Sequence, residues 1–185
     1  MPFVPSGPTD INARLVGQKL TEAWGQSVII DNRPGAGGIV GTEQAARVAP
    51  DGYTLLAANP GPLTIAPSLR TGLRYDAQRD FAPVILVTHT TSVFAVHPSI
   101  PVKNVRELIA LAKSKPGELI YGSAGVGTVG HLTFELFCYM AGIRLTHVPY
   151  KGTAQGTIDF LAGQLALRTF SVPVVLPLMK QNKLR

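Results

Sequence analysis

Cysteine is almost absent. The one thiol, Cys138, excludes an internal disulfide and a multi-cysteine zinc site. Charge is also scarce: 15% of the 185 residues are Asp, Glu, Lys or Arg, against about 25% in an average soluble domain. With 45% hydrophobic residues, that balance excludes an intrinsically disordered chain. No apolar run reaches the roughly 18 residues that a membrane-spanning helix needs. The opening Met1-Pro2-Phe3-Val4-Pro5 has neither the basic start nor the apolar stretch of about 7–15 residues of a secretory signal. The four histidines, His89, His97, His131 and His147, show no metal-ligand spacing. Acids are outnumbered, 11 against 17 Lys and Arg, for a net charge of +6. The basic residues are scattered, as on a solvated surface, so no nucleic-acid partner is expected.

Glycine and proline, by contrast, are plentiful, 19 and 15 residues. They punctuate an alternation of short apolar runs and helical stripes. Ile11, Leu15, Val16, Leu20 and Trp24 share one helix face, with Pro8 in the first turn and Gly25 at the end. Short strands are predicted over 28–30, 54–58, 82–87, 92–96, 118–121, 145–148 and 165–170. Helices are predicted over 38–49, 128–141, 153–161 and 173–181. Asn104 followed by Glu107 reads as a capped helix start, with Val105, Leu108, Leu111 and Ala112 as the buried stripe. Alternation of this kind predicts an α/β architecture with parallel strands and crossover helices. The prolines of His97-Pro98-Ser99-Ile100-Pro101-Val102 suggest an extended connector. They divide the chain into lobe one, residues 1–100, and lobe two, residues 101–185.

Three glycine-rich loops sit where strands give way to helices, the position at which open α/β sheets bind ligands. Ser6-Gly7-Pro8-Thr9-Asp10 offers hydroxyls, or simply caps a helix whose dipole Asp10 complements. Arg33-Pro34-Gly35-Ala36-Gly37-Gly38 lacks the lysine of a phosphate-binding loop. Gly125-Val126-Gly127-Thr128-Val129-Gly130 has the spacing of a dinucleotide site, but Leu145-Thr146-His147-Val148-Pro149-Tyr150 holds no ribose-binding acid. Anion binding by Ser123, Thr128 and backbone N–H groups is the plainer reading of that loop, and a nucleotide-binding enzyme is the alternative. Ser123 with His131 or His147 as nucleophile and base is a further reading, but nothing in the sequence brings them together. Cys138, among Phe134, Leu136, Phe137 and Met140, reads as inert core.

These loops carry a resemblance. The segments Ser6-Gly7-Pro8-Thr9-Asp10, Asp31-Asn32-Arg33-Pro34-Gly35-Ala36-Gly37-Gly38 and Ala49-Pro50-Asp51-Gly52-Tyr53-Thr54-Leu55-Leu56 contribute to it. So do Asp80-Phe81-Ala82-Pro83-Val84, the run 123–132 and His147-Val148-Pro149-Tyr150-Lys151-Gly152. Together they resemble the receptor component of tripartite tricarboxylate transporters, the Bug-type periplasmic solute-binding proteins. The resemblance implies a two-lobe, type II periplasmic-binding-protein fold, here incomplete. It implies no enzyme activity and no cofactor. Its ligands are small di- or tricarboxylates or aromatic acids, captured between the lobes and passed to membrane transporter subunits from the periplasm.

Carried onto this sequence, the ligand-binding positions are Ser6, Gly7, Thr9 and Asp10 in lobe one, and Ser123, Gly127, Thr128 and His131 in lobe two. His131 is expected to orient the loop rather than touch the ligand. Phe170 and Ser171 join the set because the family's Phe-Asp-Asn is here Thr169-Phe170-Ser171, while Ala166 replaces an aspartate. Loss of those acids disfavours a ligand with an amino group and favours a bulkier or aromatic acid. The family also has Gly-Gly where this chain has Ser6-Gly7. Relative to the family the sequence reads as truncated at both ends. Unpaired sheet edges and self-association are therefore expected, and a relative unable to bind ligand is a further alternative.

Overall fold

A computed structural model describes residues 1–185. The chain forms two compact units, Met1–Thr88 and His89–Arg185.

In the first unit, helix α1 (Pro8–Trp24) is followed by a 3₁₀ turn (Ala36–Gly38) running into α2 (Ile39–Ala45). A π turn (Gly61–Ile65) then leads into α3 (Ala66–Leu69). α1 starts and stops where Pro8 and Gly25 predict, and Gly25 takes the left-handed conformation at φ 65°. The helix expected over 38–49 is shorter, because Gly38 lies at φ 99° and only the residues after it enter α-geometry. The close packing there needs glycine: a Cβ on Gly38 would come 2.8 Å from the Phe3 ring, and one on Gly41 would come 2.5 Å from the Arg33 carbonyl oxygen.

The strands expected over 28–30, 54–58 and 82–87 are not strands in this structure. Those runs make no ladder, and a run becomes a strand only when a neighbour takes up its N–H and C=O groups. One bond is made nearby, from the Arg33 N–H to the Met1 carbonyl at 2.8 Å. Val28, Ile30 and Leu56 are half-buried, but Ile29, Val84, Ile85 and Leu86 are all more than three-quarters exposed. The first unit's core is small: Ile39, Ala66 and Tyr75, with Ala46, Leu73, Ala77 and Phe81 packed against them. The Tyr75 hydroxyl donates to the Pro62 carbonyl.

The second unit is a four-stranded sheet in the order β1-β4-β2-β3, with β1 (Ser92–Val96), β2 (Ile120–Ser123), β3 (Thr146–Pro149) and β4 (Leu167–Ser171). β2 runs parallel to both β3 and β4, as alternation with helices predicts. β1 is antiparallel to β4, pairing Ser92 with Ser171 and Val96 with Leu167. That pairing ties 92–96 to the second unit, whereas the prolyl connector had suggested a boundary at residue 100.

The helices are α4 (Val105–Ser114), α5 (Val129–Ala141), α6 (Thr153–Leu161) and α7 (Val172–Lys180). Two apolar clusters flank the sheet. Tyr121, Phe134, Leu108, Ala112 and Leu167 form one, against which Cys138 packs half-buried. Phe160, Leu165, Phe170, Val175 and Leu184 form the other. Burial of Cys138 pushes its thiol pKa up, in keeping with an inert core position.

Candidate functional site

The loop between β2 and α5 follows the carboxyl end of an interior strand. Ser123, 2% exposed, turns its hydroxyl inward. Its Oγ donates to the Gly125 carbonyl and accepts from the Gly125 N–H, both at 3.1 Å, and is hydrogen-bonded to His147 Nε2 at 2.7 Å. Thr128 Oγ1 donates to the same Gly125 carbonyl at 2.7 Å. His131 Nδ1 accepts from the Gly127 N–H at 3.3 Å. Its proton therefore sits on Nε2, which lies 4.0 Å from Glu135 Oε1. Glu135 in turn accepts from the Tyr121 hydroxyl at 2.6 Å.

The rings of Tyr121, His147 and His131 stack behind the loop, with centroids 4.7 Å and 4.3 Å apart in succession. Burial, and next the neighbouring His131, lower the His147 pKa. Burial and then Glu135 raise that of Tyr121. Ser123, Thr128 and His131 are thus spent on holding the loop. At α5 the first intrahelical bond runs from Leu132 N–H to the Thr128 carbonyl at 3.1 Å, and no side chain caps the helix. The N–H groups of residues 129–131 have no partner inside the helix, as at any α-helix start, where free N–H groups and the helix dipole suit negative charge.

The turn before α1 is built in a similar way. Asp10 is 1% exposed. Its carboxylate accepts from Ser6 N–H, Arg14 Nε and Asn32 Nδ2, each at 2.9 Å. The Arg14 bond first, helped by Asn32 and Ser6 against the penalty of burial, holds its pKa down to about 2. Asp10 is therefore an internal clamp. Gly7 is the N-cap with no side-chain bond, Ser6 takes the left-handed conformation at φ 68° and is exposed, and Thr9 is half-buried. Phe170 lies in the core, edge-on to Phe160 at 5.3 Å, and Ser171 is the uncapped start of α7.

Sequence reasoning left Ser123 and His147 apart, because their contact is made by the parallel pairing of β2 with β3. It also passed over Arg168. A lone cation in an apolar interior strand was the available signal. No group of three or more His, Cys, Asp or Glu could hold a metal ion.

Over residues 12–185 the sequence matches the model of the tripartite tricarboxylate transporter family receptor. The chain belongs to that family. Among the relatives of this receptor-family chain is BugT of Bordetella pertussis, 36% identical across the whole chain and 57% of BugT. Two solved structures align over the whole chain and 62% or 63% of theirs. They are R. palustris Rpa4515 with adipate (TM-score 0.92, 38% identity) and MatC from Rhodopseudomonas palustris with bound malate (TM-score 0.91, 29% identity). The periplasmic binding protein BugD superposes with a TM-score of 0.86 at 31% identity. The fold is thus that of the periplasmic binding proteins, and the chain spans about three-fifths of their length. The family is one of solute receptors, not enzymes, and this removes the nucleotide-dependent enzyme drawn from residues 125–130. Gly130 has a packing reason instead, since a Cβ there would meet Thr169 Oγ1 at 2.8 Å.

Proposed function

We propose that this protein is an extracytoplasmic solute-binding receptor that takes up a small carboxylate in the periplasm and presents it to the membrane subunits of a tripartite transporter. The observation that carries this reading is the mouth of α5: an uncapped helix start, held rigid by the Ser123, Thr128 and His131 bonds, with its first N–H groups uncommitted. Such a terminus holds a carboxylate without a neighbouring cation, each contact contributing about 0.3–1 kcal/mol, and up to about 2 kcal/mol where partly buried. In this reading Ser123, Gly127, Thr128 and His131 shape the mouth, and the backbone of residues 129–131 touches the ligand. Gly7 and Thr9 serve the turn before α1, which Asp10 and Ser6 hold in place. Phe170 and Ser171 support the sheet end beneath. The adipate of Rpa4515 and the malate of MatC set the ligand class to try first.

Thermal unfolding with a panel of di-, tri- and aromatic carboxylic acids tests this. A ligand specific to the folded state adds RT ln(1 + [L]/Kd), about 2.7 kcal/mol at 100 Kd. A cooperative transition raised by one acid class is the expected result. An unmoved transition with every acid overturns the receptor reading in favour of a relative that keeps the motifs without the ligand.

A further inference from the structure

Two imidazoles pack face to face behind the loop that opens α5. The His131 and His147 ring centres are 4.3 Å apart with 32° between their planes, and Tyr121 stacks on His147 at 4.7 Å. Glu135, also on α5, places Oε1 4.0 Å from His131 Nε2. The Tyr121 hydroxyl, on β2, donates to that same oxygen at 2.6 Å. Cys138 bears on Tyr121 from α5, and burial keeps its thiol protonated.

Two positive charges at the spacing of these rings repel strongly, so the pair takes up one proton before any second. Burial, and then His131, hold the His147 pKa below the usual imidazole value, and its Nε2 is committed to Ser123 at 2.7 Å. The His131 side chain is 17% exposed and has the Glu135 carboxylate beside it. The first proton therefore goes to His131. Neutral His131 offers one acceptor, Nδ1, and the Gly127 N–H uses it at 3.3 Å. A proton from solvent on Nδ1 turns that acceptor into a donor. Two N–H groups then face each other, and an anion is the group that satisfies both. There is room for one: Gly127 lies at φ 79°, and a Cβ on it would meet nothing within 4 Å. A carboxylate oxygen there accepts from Gly127 and His131 together, and its charge opposes that of the imidazolium.

We propose that a carboxylate and one proton bind this loop together, with His131 Nδ1 as the proton's site and His147 as the uncharged ring that keeps it there. The inference rests on the receptor reading and adds its regulation: the ligand is held more tightly as pH falls. By linkage, a ligand whose bound form takes up one proton gains affinity by up to about tenfold per pH unit, until the free receptor is itself charged. His147 acts through His131 and Ser123, and is a positioning residue.

Calorimetric titration of the full chain with adipate and with malate at pH 8, 7 and 6 tests this. Carboxylic acids of ordinary pKa, about 4, stay ionised over that range, so the ligand's own titration contributes little. The wild type is expected to bind about tenfold more tightly at pH 6 than at pH 8. At pH 7 it draws protons from the buffer, seen as a binding enthalpy that differs between phosphate and Tris. H131Q, whose side-chain oxygen can still accept from Gly127 but cannot titrate, loses the rise. H147F keeps a ring in the stack and keeps the rise, whatever its affinity. Nitrogen NMR needs no variant: ligand added to the wild type at pH 7 moves His131 Nδ1 to its protonated signal. A wild-type affinity that is flat from pH 8 to 6, a rise that survives in H131Q or vanishes in H147F, or a His131 Nδ1 unmoved by bound ligand each overturns the proton coupling and leaves the receptor reading standing. Binding of neither acid, nor of any other acid in the panel, at any of the three pH values overturns both.

Discussion

At the scale of single residues, the side chains most suggestive of ligand chemistry make their hydrogen bonds within the chain. Asp10 is the clearest case, with three donors on one buried carboxylate. Asp10→Asn removes the charge and one acceptor oxygen, and is expected to lower the unfolding free energy by about 2 kcal/mol in urea titrations at neutral pH. The sign of the pH effect follows from the depressed carboxyl. Between the ordinary aspartate value of 3.8 and about 2, the unfolded chain binds the proton and the folded chain does not. Stability from Asp10 is therefore complete above about pH 4 and is lost as pH falls toward about 2. Urea midpoints measured across that window should fall more steeply in the wild type than in Asp10→Asn.

Elements whose ends carry their own chemistry form where the sequence says. α4 is one: Asn104 Oδ1 accepts from the Glu107 N–H at 3.0 Å, as the capping pattern predicts. Glu107 reaches back one residue further than expected, its Oε2 accepting from Lys103 N–H at 2.7 Å while Oε1 accepts from Asn104 Nδ2 at 2.7 Å. Asn104→Ala is expected to destabilise the second unit by about 1 kcal/mol, read from the shift of the thermal transition. α6 spans the residues predicted, Thr153–Leu161, but its start differs in kind. It has no cap and the buried Arg168 guanidinium beneath it, an arrangement invisible until β4 lies under the helix. The strands of the first unit show the opposite behaviour: residues 82–87 have the composition of a strand and no partner to make them one.

At the scale of the whole molecule, the two units differ in how much apolar surface they bury. The second has cores on both faces of its sheet. The first has one small cluster and leaves Val84, Ile85 and Leu86 77–79% exposed. A contiguous extended apolar run with free backbone groups is a template for pairing. This 185-residue chain is therefore expected to self-associate, seen in sedimentation velocity as a weight-average mass that rises with concentration. Ile85→Lys should reduce that association by placing a charge on the run. A wild type that stays monomeric at high concentration, with one cooperative transition, would refute the expectation. Such association is distinct from ligand binding, so the two measurements can disagree without ambiguity.

Local patterns were enough for the helices, the α/β class and the loops at strand ends, because periodicity, Pro8, Gly25, Asn104 and the glycine runs act within a few residues of chain. The motifs of residues 6–10, 123–132 and 147–152 were enough for the family. Tertiary structure decided the rest, because it depends on partners distant in sequence. β1 joined the second unit through its antiparallel pairing with β4. Ser123 and His147 met because β2 and β3 run side by side. Arg168, one cation in an apolar run, came to lie beneath α6 because a strand and a helix with Gly156 at its first turn leave room there for a guanidinium.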